Sequence, residues 1–196
     1  MPDDINAFVP GPRVHIEGQL GGPLAGLSFA AMDLFDVAGH PTGGGNPDWA
    51  RAQRTLQPSE AWLTFRDWID RDNPRFAFSV ARNIILGSMI SDSERGWARL
   101  VRREARGRMR YLLPEGTILC LPTTPFPAPK RGEPLSVASE QRDRLLCLCC
   151  HGGLTGVPQV SIPGATVDGL PAGLSIVGGP ACDATLVAVA RALENM

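Results

Sequence analysis

The pattern of hydrophobic and polar positions predicts a helical middle, with a short apolar strand before it and further short strands after it. Residues 27–34 are mostly apolar, with Asp33 as their one charge, which is typical of a strand covered on both faces. Glycines between Gly39 and Gly45 then end regular structure and predict a loop. The elements expected after that loop are a linker at 51–59, helices at 59–73, 75–88, 91–113 and 136–150, strands at 117–121, 158–163 and 172–177, and a last helix at 183–195.

Five local signals predict where these elements begin or end. Ser59 stands where an N-cap is expected, and Asn73 before Pro74 predicts the end of the same helix. Ser91-Asp-Ser-Glu94 is a capping-box sequence and predicts the start of the longest helix. The pair Gly152-Gly153 predicts the end of the helix before it, and Val167-Asp-Gly169 predicts a hairpin turn.

Composition excludes several classes of protein. The chain is 43% hydrophobic and 20% charged with a formal net charge of −1, which gives no overall attraction to nucleic acid or to an anionic membrane. No apolar run approaches the roughly 18 residues of a membrane span, and the acidic opening Met1-Pro-Asp-Asp4 is unlike a leader peptide. We therefore expect a cytoplasmic protein with no membrane, nucleic-acid or cofactor requirement.

Two stretches carry a specific resemblance. Residues 24–37 read Leu-Ala-Gly-Leu-Ser-Phe-Ala-Ala-Met-Asp-Leu-Phe-Asp-Val, and Pro41-Thr-Gly-Gly-Gly-Asn-Pro47 follows. This run resembles the amidase signature family, in particular its indole-3-acetamide hydrolase-like branch. The segments 121–125, 156–163 and 169–178 resemble the carboxyl-terminal part of the same family. The resemblance implies an α/β fold, a small mixed sheet flanked by helices, as a cut-down version of the amidase layer sandwich.

The resemblance breaks between the two stretches. The family carries there a long Gly/Ser-rich segment that supplies the serine nucleophile, a bridging serine and the oxyanion donors, and here only residues 51–60 join the two parts. We therefore interpret 1–196 as one internally truncated domain, with an amino-terminal strand and glycine loop at 1–50, a linker at 51–60 and a carboxyl-terminal part at 61–196.

One substitution governs the expected chemistry. The resemblance implies that the family's catalytic base is a lysine in the first strand, and Met32 occupies that position. A serine hydroxyl is a weak nucleophile until a base removes its proton, and methionine has no titratable nitrogen. Lys130 is the only lysine and lies in a proline-rich loop, so it is a poor replacement for a buried catalytic lysine. We expect a degenerate member without an intact catalytic site, and an active amidase stays the alternative.

Other candidate sites remain open at this point. Cys147-Leu-Cys-Cys-His151 holds four potential metal ligands, but no second cluster accompanies it, so core packing is the preferred interpretation and no metal is expected. A nucleophilic dyad would pair His40 with Ser161 or Ser175, which the family fold brings near the glycine loop. No Gly-x-Ser-x-Gly elbow supports such a dyad.

The arginines and the missing middle segment both indicate which partners the protein could bind. Seven arginines fall within residues 95–110, which is consistent with phosphate or nucleic-acid binding but, lacking interleaved aromatics, favours a solvated face or an acidic protein partner. Loss of the middle segment predicts apolar surface and an unpaired strand edge. We therefore expect a homodimer or a complete amidase as partner, and a small amide is the candidate ligand.

Overall fold

The chain folds around a four-stranded sheet with helices on both faces. The structure, a computed structural model, describes residues 21–22, 25, 28–31 and 45–194. Within these residues the elements are β1 (Ser28–Ala31), α1 (Pro47–Asp72), α2 (Phe78–Met89), α3 (Asp92–Leu112), β2 (Thr117–Pro122), α4 (Leu135–Thr155), β3 (Gln159–Val167), β4 (Leu170–Gly178) and α5 (Asp183–Glu194). None of the helices in these ranges has the length and apolar character that crossing a membrane would require.

The sheet is mixed, and its strand order is β1-β2-β4-β3. β1 lies parallel to β2, and the three helices α1 to α3 form the long crossover that a parallel pair requires. β4 pairs antiparallel with both β2 and β3. The predicted hairpin between β3 and β4 is confirmed, because Asp168 and Gly169 have φ values of 50° and 75°, the positive pair that a tight hairpin turn needs.

Alternation along the strands creates two cores. One face of the sheet contributes Leu121 and Val177 to a cluster with residues of α3 and α4, namely Met109, Leu113, Leu148 and, just after α4, Val157. The other face contributes Ile118, Ile162 and Ile176 to a cluster with the α5 residues Leu186, Val189 and Ala190. A third cluster joins α1 to α3 and α4. The predicted α/β fold with a small mixed sheet between helices is therefore confirmed.

The capping signals predicted the ends of two helices correctly. Ser91 accepts a hydrogen bond from the Glu94 backbone at 3.3 Å, while the Glu94 carboxylate accepts one from the Ser91 backbone at 2.8 Å. The backbone N–H groups of Ser91 and Glu94, which have no partner within the helix, are thus both hydrogen-bonded, as in a capping box. Asn73 ends α1 in the left-handed conformation, with φ 40° and its N–H donating to the Ile69 carbonyl.

The linker predicted at 51–60 is wrong, because α1 runs through it without interruption. Asn46 is the true N-cap and accepts a hydrogen bond from the Trp49 backbone at 3.0 Å, and Pro47 occupies the first helical position. The buried positions of this helix are Ala50, Ala52, Leu56 and Ser59; three of these four residues are small or polar, so the hydrophobic period of the helix is faint. Ser59 is accordingly a buried residue of the helix interior rather than an N-cap.

The end predicted for α4 at Gly152-Gly153 is also wrong, since the helix continues to Thr155 and Gly156 caps it with φ 79°. The two glycines serve close packing instead. A Cβ on Gly153 would lie 2.9 Å from the Gln53 side-chain nitrogen, and one on Gly152 would lie 3.0 Å from the Gln159 amide oxygen. The division of residues 1–196 into a single truncated domain stays a prediction.

Candidate functional site

Three hydroxyl groups meet where β2 ends against β4 and β3. Thr123 directly follows β2, while Ser161 of β3 and Ser175 of β4 are cross-strand partners. Paired residues direct their side chains to the same face of a sheet, so the register itself brings the two serines together. Ser175 is fully buried, Thr123 is half-buried and Ser161 is exposed, so the cluster leads from the core to the surface.

The hydroxyls form a closed hydrogen-bonded triangle. Each of the three oxygen–oxygen distances, between Thr123, Ser161 and Ser175, is 3.1 Å. The Gln159 side-chain nitrogen also donates to the Ser175 oxygen at 3.0 Å. A hydroxyl donates one hydrogen bond and accepts two, so the triangle uses all three protons and Gln159 fills the second acceptor site of Ser175. One acceptor site each is left on Thr123 and Ser161.

Close backbone packing holds Thr123 in this position. Its backbone N–H donates to the Gly173 carbonyl at 2.8 Å, and a Cβ on Gly173 would lie only 2.6 Å from the Thr123 hydroxyl oxygen. Glycine at 173 is therefore what admits the threonine side chain. On the α4 side, the Cys149 thiol donates to the Thr123 carbonyl at 3.0 Å. The cluster is thus anchored to two strands and one helix.

This arrangement can accept a hydrogen bond from a ligand N–H or O–H. Within the described residues, no lysine or histidine nitrogen is hydrogen-bonded to any of the three hydroxyls. A serine needs such a base to lose its proton at neutral pH. Lys130 is exposed in the loop after β2. The described residues therefore place here a group of hydroxyls that can form hydrogen bonds with a polar ligand.

His151 and Cys150 are buried residues of α4, whereas Cys147 and Cys149 are partly buried. His151 is only 2% exposed, and its Nε2 atom has no hydrogen-bond partner in the part of the chain that the structure describes. Burial lowers the pKa of His151 from 6.5 to about 4, and burial raises the pKa of Cys150 to about 12. Across the described ranges, no three acidic, cysteine or histidine side chains converge as metal ligands would.

The sequence anticipated part of this site. Ser161 and Ser175, considered there as nucleophiles, are brought together by the structure, whereas Met32 and His40 lie outside the described residues. Thr123 and Gln159 were not singled out from the sequence. The signal that could have found them is strand register. It places Gln159 of β3 and the residue just after β2 on the same face of the sheet as the two serines.

Comparison with known proteins identifies what this chain is similar to. The family model described as Amidase matches residues 50–187. Amidase 1 of Oryza sativa subsp. japonica is 29% identical over 145 residues, covering 74% of this chain and 33% of that protein. Amidase 1 of Arabidopsis thaliana is 28% identical over 142 residues, covering 72% and 33%. The chain therefore spans about a third of the length of these curated relatives.

Solved structures agree at the level of the fold. A structure described as that of an amidase aligns with a TM-score of 0.64 at 24% identity, covering 75% of this chain and 35% of that one. The allophanate hydrolase of Kluyveromyces lactis aligns with a TM-score of 0.59 at 22% identity, covering 73% and 24%. The match to the family model begins at residue 50, so it includes the segment first interpreted as a linker.

Proposed function

Because the chain belongs to the amidase family, we propose that it is a degenerate member without amide-hydrolase activity of its own, retained as a binding or regulatory protein. The observation that carries this proposal is Met32, which stands where the family resemblance expects the catalytic lysine. A thioether cannot accept the proton of a serine hydroxyl, so the residue implied as the general base is lost.

The hydroxyl triangle supports the same proposal. Thr123, Ser161 and Ser175 hydrogen-bond one another, and Ser175 accepts from Gln159; none of these partners is a base that could take a hydroxyl proton. Loss of a base or of a nucleophile each reduces turnover by several orders of magnitude. What the triangle still offers is a pair of hydrogen-bond acceptors near the surface, which suits the N–H groups of a small amide held without being cleaved.

Ammonia release tests this proposal directly. Purified protein is incubated with simple alkyl and aryl amides, with a complete amidase in parallel as the positive control. We expect no ammonia above the protein-free rate and no labelling by a serine-reactive fluorophosphonate. Met32→Lys is expected to stay silent as well, because restoring an amine does not restore a nucleophile or oxyanion donors. Ammonia release that accompanies labelling, with both abolished in Ser161→Ala or Ser175→Ala, would instead establish an active amidase.

The outer face of α2 supports a role in association. Phe78, Ile85 and Met89 are 71%, 59% and 74% exposed, and with Arg82 they recur at the three- and four-residue spacing of one helix face. Gly87, on the opposite side of α2, packs against Pro58 of α1. Large apolar side chains aligned in this way typically mark a contact surface. We propose that either a second copy of the chain or a complete amidase covers them.

Sedimentation velocity separates the two occupants. A homodimer predicts a concentration-dependent shift to twice the monomer mass in the protein alone. A complete amidase as partner predicts a monomer alone and a new boundary only in the mixture. Met89→Glu should abolish either complex, since it places a charge in the apolar face. Arg142→Glu, at an exposed position of α4, serves as the control. A monomer under all these conditions would exclude the proposal.

A further inference from the structure

The solvent-facing side of α3 carries arginines that have no partner inside the described part of the protein. Ala98, Ala105 and Met109 form the buried side of this helix. Arg99, Arg103 and Arg110 are exposed and follow one another at intervals of four and seven residues, so they lie along one side. We call these three residues the α3 arginine face. At a rise of about 1.5 Å per residue, it extends over roughly 16 Å.

The other arginines of the helix are engaged. Arg102 pairs with Glu60 of α1 at 2.8 Å, and Arg108 pairs with Glu104 at 2.6 Å. Arg95 pairs with Asp92, and Arg106 donates to the Thr155 carbonyl at 3.1 Å. Among the described residues, no hydrogen bond, ion pair or ring contact engages the three members of the α3 arginine face.

Charge in this protein is strongly segregated. α3 holds seven arginines against Asp92, Glu94 and Glu104, a formal charge of +4, while the whole chain has −1. The remainder of the chain therefore carries −5. A positive helix on a mildly negative protein gives a local field that attracts an acidic partner. Leu100, which is 65% exposed, lies beside Arg99 and Arg103 and adds an apolar contact.

We infer that the α3 arginine face binds an acidic amphipathic helix of another protein. A helix with glutamates at positions i, i+4 and i+11 repeats the arginine spacing and can align with it, while a leucine on the same side meets Leu100. A phosphate polymer is the less suitable ligand, because single-stranded nucleic acid also needs aromatic stacking. α3 contains two aromatic rings. Tyr111 is half-buried, and Trp97 is already covered by Arg51, whose guanidinium carbon lies 4.3 Å from the ring centre.

Fluorescence anisotropy with a designed probe tests this inference. The probe is a labelled helical peptide with glutamates at i, i+4 and i+11 and one leucine, and its control carries glutamine in place of each glutamate. The binding variant is Arg99→Glu/Arg103→Glu/Arg110→Glu. Its matched control is Arg75→Glu/Arg131→Glu/Arg142→Glu, which reverses three exposed arginines outside α3 and outside the α2 face. Both triple variants change the net charge equally, from −1 to −7.

The expected pattern is selective. The glutamate peptide should bind the wild type, weaken with added salt and bind the α3 variant about tenfold or more weakly, whereas the matched control changes affinity less than about threefold. Equal losses in both variants would show that net charge alone attracts the probe and would overturn the inference. So would absence of binding to the wild type, equal binding of the glutamine peptide, or tighter binding of a twenty-nucleotide oligothymidylate than of the peptide. If the charge-reversed α3 variant loses its helical circular dichroism, Arg99→Gln/Arg103→Gln/Arg110→Gln gives the same comparison at smaller charge change.

Discussion

Acid should destabilise this protein through His151, well above the pH at which carboxylates are protonated. The pKa of this imidazole falls from 6.5 to about 4 because burial disfavours its charged form. Between these two values the unfolded chain binds a proton that the folded chain does not. The unfolded state is therefore favoured as the pH falls, and the stability present above pH 6.5 is lost progressively down to the folded pKa.

The size of the effect follows from the shift. A pKa unit corresponds to about 1.4 kcal/mol, so a shift from 6.5 to about 4 is worth roughly 3 kcal/mol in the free energy of unfolding. About 2 kcal/mol of that is already lost at pH 5, since the unfolded imidazole is then almost fully protonated. Against a typical domain stability of about 5–15 kcal/mol, such a loss is easily measured.

Urea denaturation between pH 7.5 and 4.5 measures this loss, with His151→Phe as the comparison. Phenylalanine keeps a planar ring in the core but has no titratable group, and it replaces an Nε2 atom that lacks a hydrogen-bond partner in the described part of the chain. At pH 7.5 the variant should be at least as stable as the wild type. On acidification the wild type should lose about 2 kcal/mol more than the variant by pH 5.

Subtracting the two curves removes the contribution of every other group. The pKa of Glu94 is lowered by its hydrogen bonds to Ser91, so this carboxylate also loses stabilisation in acid, but it does so equally in both proteins. A difference between wild type and His151→Phe that stays constant from pH 7.5 to 4.5 would refute the reasoning. It would mean that the imidazole is hydrated or paired in the folded protein.

Three further substitutions test the local packing, each by urea denaturation at pH 7.5. Gly173→Ala should cost about 1–3 kcal/mol, because its Cβ would lie 2.6 Å from the Thr123 hydroxyl, and no loss would show that the strands separate freely there. Gly107→Ala should add about 0.5–1 kcal/mol, since a Cβ meets no atom within 4 Å and alanine favours helix, and a loss would contradict this open environment. Ser91→Ala should cost about 1 kcal/mol by removing the capping box with Glu94, and an unchanged midpoint would show that water replaces the cap.

Capping and turn signals were readable from the sequence because they depend on neighbours along the chain. Ser91 and Glu94 meet three residues apart, and Asp168 with Gly169 supplies the positive φ values of the hairpin. The start of α1 was misplaced for the opposite reason. Its inner positions Ala50 and Ala52 become recognisable as core only once α3 and α4 pack on them.

The candidate site was predicted in part. Ser161 and Ser175 stood out as hydroxyls on strands of the family resemblance, but their mutual distance of 3.1 Å depends on the register between β3 and β4. Thr123 joins them from the position just after β2, through a gap that Gly173 leaves open. No spacing along the chain encodes such a contact, because residues 123, 161 and 175 are neighbours only in the folded sheet.

The sequence by itself determined the family, the α/β class, the capping of α3 and the presence of Met32 at the expected lysine position. These properties follow from residue identity and from patterns that repeat over a few residues, so they can be recognised without knowing any long-range contact. Only the tertiary structure decided that three hydroxyls close into a triangle, that His151 is buried in the core, and which arginines of α3 remain unpaired within the described residues. Each of these depends on contacts between residues that are far apart in the sequence, and only the packing of the whole chain determines those contacts.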